Sequence, residues 1–151
     1  MIDTSSLTVR QITALDHAQW RGLWQAYLQF YDTVLSDAVY TATFQKLISG
    51  EHGMYGFLAL DKNNPVGLAH YVTHPDFWKP THVCYLQDLF TTPHARGQGI
   101  ARRLIQAVFD DATAMGIPEV YWLTAETNYK GRILYDQVGT KTPFIVYQRS
   151  A

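Results

Sequence analysis

Between Trp20 and Tyr31 the large apolar residues recur at three- and four-residue intervals: Trp20, Leu23, Trp24, Tyr27, Leu28 and Tyr31. That spacing matches the period of a helix buried along one face, and Asp16 stands where such a helix needs a cap. Before it, Leu7 to Ile12 alternates as a first strand. A second helix is predicted over Thr41 to Ser49, ended by Gly50. Met54 to Leu60 and Val66 to Thr73 flank the polar Lys62-Asn-Asn-Pro65 and read as a hairpin. The prolines and aromatics of His74 to Pro80 predict a loop, followed by a strand over Val83 to Phe90. Only Gln87 and Asp88 interrupt its apolar run, and two polar residues in a buried strand need partners or a purpose.

Ile100, Leu104, Ala107, Val108 and Ala112 share one face of a further helix that ends near Met115-Gly116. Glu119 to Ala125 predicts a strand, Asn128 to Val138 a helix closed by Gly139, and Phe144 to Gln148 a last strand. The order βααβββαβαβ gives an α/β fold, a single domain over residues 1–151 with a mixed, twisted sheet flanked by helices.

Composition narrows the classes of function. The chain has 151 residues, 47% hydrophobic, with a net charge of −1. A near-neutral chain with a pI of about 6.6 lacks the basic stripe of a nucleic-acid module. No apolar run reaches the roughly 18 residues of a membrane span, and the N-terminus carries no export signal. A cytoplasmic protein is expected. Cys84, the single cysteine, lies in an apolar run and reads as a buried structural thiol rather than a nucleophile. His70, His74, His82 and His94 show no paired ligand spacing, so they are expected to be surface or satisfied residues and no metal is predicted.

The most informative stretch runs from Asp88 to Ile105: an apolar strand, a glycine turn and the start of a helix. Gly97 and Gly99 permit positive φ and close backbone approach. Arg96 adds a positive charge, and the first N–H groups of the helix are unpaired, so an anion is expected there. Two common glycine signatures fail by counting: a dinucleotide fingerprint needs a small residue where Arg102 stands, and the Gly-Lys-Ser/Thr of a Walker loop is absent. What remains is Arg96-x-x-Gly99-x-Ala101, which resembles the acetyl-CoA diphosphate loop of the GNAT superfamily of N-acetyltransferases. A second segment, Asn128-x-x-Gly131-x-x-Leu134-Tyr135-x-x-x-Gly139, resembles a later motif of that superfamily, with Gly131 where alanine is commoner. Asn128 and Tyr135, two helical turns apart, share one face, and Gly131 between them admits something slender. Tyr85-Leu-Gln-Asp-Leu-Phe90 and Val120 to Asn128 look most like the branch that acetylates histones, polyamines or D-amino acids.

The resemblance implies acetyl-CoA as co-substrate. Its pantetheine would lie against the backbone of Leu89, Phe90 and Thr91, its diphosphate on Arg96, Gly97, Gln98, Gly99, Ile100 and Ala101, and Asn128 would contact the pantetheine. It also implies transfer to a primary amine, of a polyamine, an amino acid or a lysine-containing peptide, by direct attack in a ternary complex. Tyr135 would be the acid toward the leaving sulfur. Gln87 occupies the position where several members carry a glutamate base, leaving Asp88 and Glu126 to act as base or to bind the amine. Tyr27, Phe30 and Tyr31, beside Asp32 and Asp37, serve equally as packing or as a substrate wall. A non-catalytic acyl-CoA sensor is the alternative. The family and the closing strand together imply a homodimer or higher homo-oligomer.

Overall fold

The computed structural model describes residues 5–151. Strands β1 (Leu7–Gln11), β2 (Met54–Asp61), β3 (Asn64–Asp76), β4 (Lys79–Thr91) and β5 (Val120–Tyr121) form one sheet in that spatial order. The first four run antiparallel and β5 joins β4 in parallel, so the sheet is mixed as expected. The turn between β2 and β3 has Lys62 and Asn63 both at positive φ (48° and 75°), the twist that two-residue hairpins favour.

Helices cover both faces. α1 (His17–Phe30) and α2 (Asp37–Ser49) pack on one side through Trp20, Leu23, Trp24, Tyr40 and Leu47, against Leu58, Leu68 and Phe90 of the sheet. α3 (Ile100–Ala114) packs on the other through Ile100, Leu104, Ile105, Val108 and Ala112, against Ala59, Ala69, Cys84 and Leu86. Each of these buried aliphatic side chains contributes about 1.5–3 kcal/mol, which fixes the start of α3 against the sheet. Gly67 is required for that contact: a Cβ there would sit 2.8 Å from the Phe90 carbonyl oxygen and 3.2 Å from Ile100 and Leu104. α4 (Tyr129–Val138) lies beyond β5, its Leu134, Tyr135 and Val138 against the α3-side core.

Four expectations change. Asp16 does not cap α1; its carboxylate closes a capping box with Thr13 and accepts both Arg10 Nη atoms at 2.8 Å. Residues 74–80 are not a loop, because β3 and β4 continue to a tight reversal at Phe77–Trp78. There Asp76 Oδ1 accepts the Trp78 N–H at 2.8 Å, and Pro75 falls in the irregular stretch of the ladder, where no N–H is needed. The strand expected over Glu119 to Ala125 shrinks to Val120–Tyr121. Finally, Phe144 to Gln148 is not a strand. Phe144, Ile145, Val146 and Tyr147 are 67–89% exposed, since no strand among the described residues offers this segment a ladder.

Asp16 is 4% exposed, and the Arg10 guanidinium holds its carboxyl well below the usual carboxylate range. A depressed carboxyl stabilises the fold above its unfolded value of about 3.9 and loses that contribution as pH falls through the folded one. Asp16→Asn is therefore expected to cost about 1–3 kcal/mol at pH 7. Denaturant titrations should show the gap to the parent narrowing below about pH 3.

Candidate active site

A bulge in β4 sets the geometry of one side. Asp88 pairs with His70 and Leu86 with Tyr71, so Gln87 is left over between them. Strict alternation would point Leu86 and Asp88 to the same face. The extra residue instead leaves Leu86 in the α3-side core and brings Asp88 under α1. Asp88 Oδ2 accepts from Trp24 Nε1 at 3.2 Å and bonds His70 Nδ1 at 2.9 Å. Trp20 Nε1 donates to His70 Nε2 at 2.8 Å, and Tyr27 lies near enough to Asp88 to feel its charge. An indole N–H has no acceptor capacity, so His70 Nε2 carries no proton and Nδ1 must be the donor to Asp88. Trp20 reads as core and His70 as a surface or satisfied residue in the sequence, and nothing in the sequence pairs positions 20, 70 and 88.

Asp88 and His70 line a cavity of about 220 Å³ together with Trp24, Thr43, Leu47, Met54, Val72 and Gln87. Tyr27 stands beside it on α1, with Tyr31 against it at 5.1 Å between ring centroids. Phe30 and Tyr31 are 67% and 59% exposed, forming a wall rather than core. Burial and the neighbouring Asp88 push the Tyr27 phenol up, so it remains a donor.

On the opposite edge of β4 the sheet opens. β5 pairs only at Cys84 and Tyr85, so from Leu86 to Thr91 that edge of β4 has no strand beside it. Phe90 turns its ring into the α1-side core and leaves only backbone to a ligand, while Leu89 packs toward α3. Thr91 Oγ1 is buried without a hydrogen-bond partner. The turn follows: Gly97 and Gly99 adopt φ of 75° and 79°, with open space where each Cβ would project. Gly99 provides no side-chain cap, and the first bond of α3 runs from Arg103 N–H to Gly99 C=O. The N–H groups of Ile100, Ala101 and Arg102 therefore face outward, as an anion site requires. Arg96 donates to the Thr91 carbonyl at 3.1 Å and lies over the Phe30 ring at 5.7 Å, while Gln98 donates to the His94 carbonyl. These groups suit an elongated ligand with amide and diphosphate functions.

Tyr135 packs edge-on to Trp122, 5.7 Å between centroids, and burial followed by the proximity of Tyr31 raises its phenol. It is thus held protonated near the end of α1. Asn128 caps α4, its Oδ1 accepting the Gly131 N–H at 3.1 Å and its Nδ2 donating to Thr124. Gly131 has a local cause: a Cβ would meet the Asn128 amide at 2.5 Å. Glu126 stands five residues past the end of β5, exposed and outside the cavity. The fold thus brings Tyr27, Tyr31 and Asp88 together, and leaves Glu126 apart. Cys84 is fully buried and its thiol is pushed up to about 11 by burial, so no thiolate nucleophile is available at neutral pH.

A parted pair of parallel strands, an uncapped glycine-rich helix start and a protonated tyrosine opposite define an acyltransferase that takes its acyl group from acetyl-CoA. A profile of the Acetyltransferase (GNAT) family matches residues 16–140, and the chain belongs to that family of N-acetyltransferases. The chain is 36% identical to the D-amino-acid N-acetyltransferase HPA3 of Saccharomyces cerevisiae over 146 residues, 95% of this chain and 91% of that one. It is 30% identical to the N-acetyltransferase YhfO of Bacillus subtilis over 145 residues, 93% and 95% of the two chains. Among solved structures, AAC(6')-Iy in complex with the bisubstrate analog CoA-S-monomethyl-acetylneamine superposes with a TM-score of 0.83. The two are 21% identical, over 96% of this chain and 98% of the other.

A side chain at Gly99 would point into the open space over the turn and strain a backbone at φ 79°. Gly99→Val is expected to weaken acetyl-CoA binding by about tenfold or more, equivalent to roughly 1.4 kcal/mol, with the circular dichroism spectrum retained. Calorimetric titration measures it.

Proposed function

We propose that this acetyltransferase moves the acetyl group onto the primary amine of a small cationic acceptor, a polyamine or amino acid, or of a lysine side chain in a peptide. Transfer proceeds by direct attack with both substrates bound. The observation that carries this reading is Asp88: a carboxylate lining a mostly apolar cavity, with Trp24 and His70 donating to the same oxygen. Both of those bonds go to Oδ2, which leaves Oδ1 as the oxygen for an ammonium. The name of the yeast relative, a D-amino-acid N-acetyltransferase, supports an amine acceptor of this size.

The chemistry follows from protonation states. An alkylammonium, with a pKa of about 10.4, must lose a proton before its nitrogen can attack the thioester carbonyl. Asp88 accepts that proton and passes it to solvent. The C–N bond forms as the C–S bond breaks, and the nitrogen sheds a second proton. Tyr135 supplies one proton, or a hydrogen bond, to the departing sulfur and is re-protonated from solvent. The net products are an amide, free CoA thiol and one proton. Glu126, exposed and away from the cavity, is the weaker candidate for the base, and its remaining role is attraction of a cationic acceptor. The protonated, buried Cys84 supports direct transfer over an acyl-enzyme and suits the reducing cytoplasm. We also propose a homo-oligomer in which Phe144 to Tyr147, apolar and exposed, is covered by a second copy.

Two experiments test this reading. Tyr135→Phe keeps the ring against Trp122 and removes the donor. kcat is expected to fall by about 10²–10⁴-fold, with kcat/KM falling in step and acetyl-CoA affinity unchanged. Because the phenol is raised, the parent's rate should decline only above pH 10, the ordinary tyrosine value, and the Phe variant should lack that limb. For assembly, light scattering at micromolar concentration should report a dimer or larger, and truncation before Phe144 should give the monomer.

A further inference from the structure

The acceptor cavity contains one charge and no counter-charge. Its lining includes Asp88 but no lysine or arginine. His70, the one lining residue able to become cationic, is fixed as a neutral donor because Trp20 Nε1–H occupies its Nε2. The other groups facing Asp88 are Trp24 and Tyr27 of α1 and Tyr85 of β4, all uncharged. α2 contributes Thr43 and Leu47 to the lining, and Tyr40 against Trp24, again without charge. The cations in the neighbourhood are held elsewhere. Arg21 pairs with Asp37 over the Tyr40 ring, and Arg96 is bonded to the carbonyl of Thr91. Thr91 is three residues along β4 from Asp88, about 10 Å at strand rise.

From this we infer the acceptor class: a primary amine whose amine-bearing carbon carries no carboxylate, so that polyamines, aminoalkyl compounds and lysine side chains are accepted while α-amino acids are disfavoured. The inference rests on the acetyl-transfer reading above and narrows it. In an α-amino acid the carboxylate is two bonds from the nitrogen. With the ammonium on Asp88, that carboxylate is forced into the same cavity as Asp88, whose lining includes no arginine or lysine to receive it. Like charges placed together without a counter-ion are strongly disfavoured. The carboxylate also gives up water for a lining that includes Trp24, Leu47, Met54, Tyr71 and Val72. In this cavity the Trp20–His70 bond does more than support the fold. It keeps a potential imidazolium from neutralising Asp88 or from receiving a substrate carboxylate.

The test is a matched set of acceptors assayed by release of CoA thiol. D- and L-phenylalanine are compared with phenethylamine, L-leucine with isoamylamine, and each α-amino acid with its own carboxamide, which keeps the shape and removes the charge. The decarboxylated amines and the carboxamides are expected to exceed the free α-amino acids by about 100-fold in kcat/KM. Asp88→Asn should raise KM for the amines and shrink that ratio toward one. Nitrogen-15 NMR of His70 should report the Nδ1–H tautomer in the parent, a signature that packing alone does not fix. Equal turnover of free α-amino acids of either hand, or a His70 that is cationic at neutral pH, overturns this inference while leaving acetyl transfer intact. No turnover with any acceptor, in protein that binds acetyl-CoA, overturns the acetyl-transfer reading and this inference with it.

Discussion

An indole N–H can donate and cannot accept, and much of the acceptor side of this protein is arranged by that asymmetry. Trp20 is fully buried between α1 and the sheet, and its only outlet for the N–H is His70 Nε2. Once that bond is made, the imidazole has one proton, on Nδ1, and Asp88 is its acceptor. Trp24, one turn later on α1, adds a second donor to the same oxygen. A carboxylate 13% exposed is thereby solvated by neutral groups. Removing the donors would leave a buried carboxylate uncompensated.

The same strand provides both halves of the site because it breaks its own regularity twice. At Gln87 one extra residue turns Asp88 toward α1. Beyond Tyr85 the parallel partner ends, and the backbone of β4 is left without a strand on that side. A fully paired β4 would have had neither a carboxylate on the acceptor face nor an open edge for amide contacts on the other. The two defects lie within a few residues of each other, so an amine held by Asp88 and a ligand along the open edge approach the same short segment. α3 holds that segment in place through Ile100 and Leu104 against Gly67. The anion-binding turn therefore rests on a packed core rather than on a mobile loop.

Aromatic residues at the C-terminal end of α1 connect these parts. Tyr27 reaches Asp88, Tyr31 packs on Tyr27 and influences Tyr135, and Phe30 lies under Arg96 of the turn. One helix end thus lies beside Asp88, Tyr135 and the glycine turn. Phenols raised by burial remain donors at neutral pH, so this wall presents hydrogen-bond donors and ring faces rather than charge.

Local pattern determined a good deal of this on its own. The 3.6-residue repeat of Trp20, Leu23 and Trp24 fixed which face of α1 is buried, and the two glycines of Arg96-x-x-Gly99-x-Ala101 marked the turn that opens α3, because both depend on chemistry within a few residues. Helix ends at Gly50 and Asn128 were legible for the same reason. What the sequence could not show were properties of pairing. Residues 74–80 extend the hairpin because β3 and β4 are already in register, and Phe144 to Gln148, β-branched and aromatic in composition, stays unpaired because composition supplies no partner. His70 is unremarkable in the sequence, and Asp88 differs from Glu126 only after the β4 bulge selects a face. Hydrogen bonds between positions 20, 70 and 88 exist only once two strands and a helix have been brought together. The helix faces and the glycine turn were therefore local, and the contacts around Asp88 were tertiary.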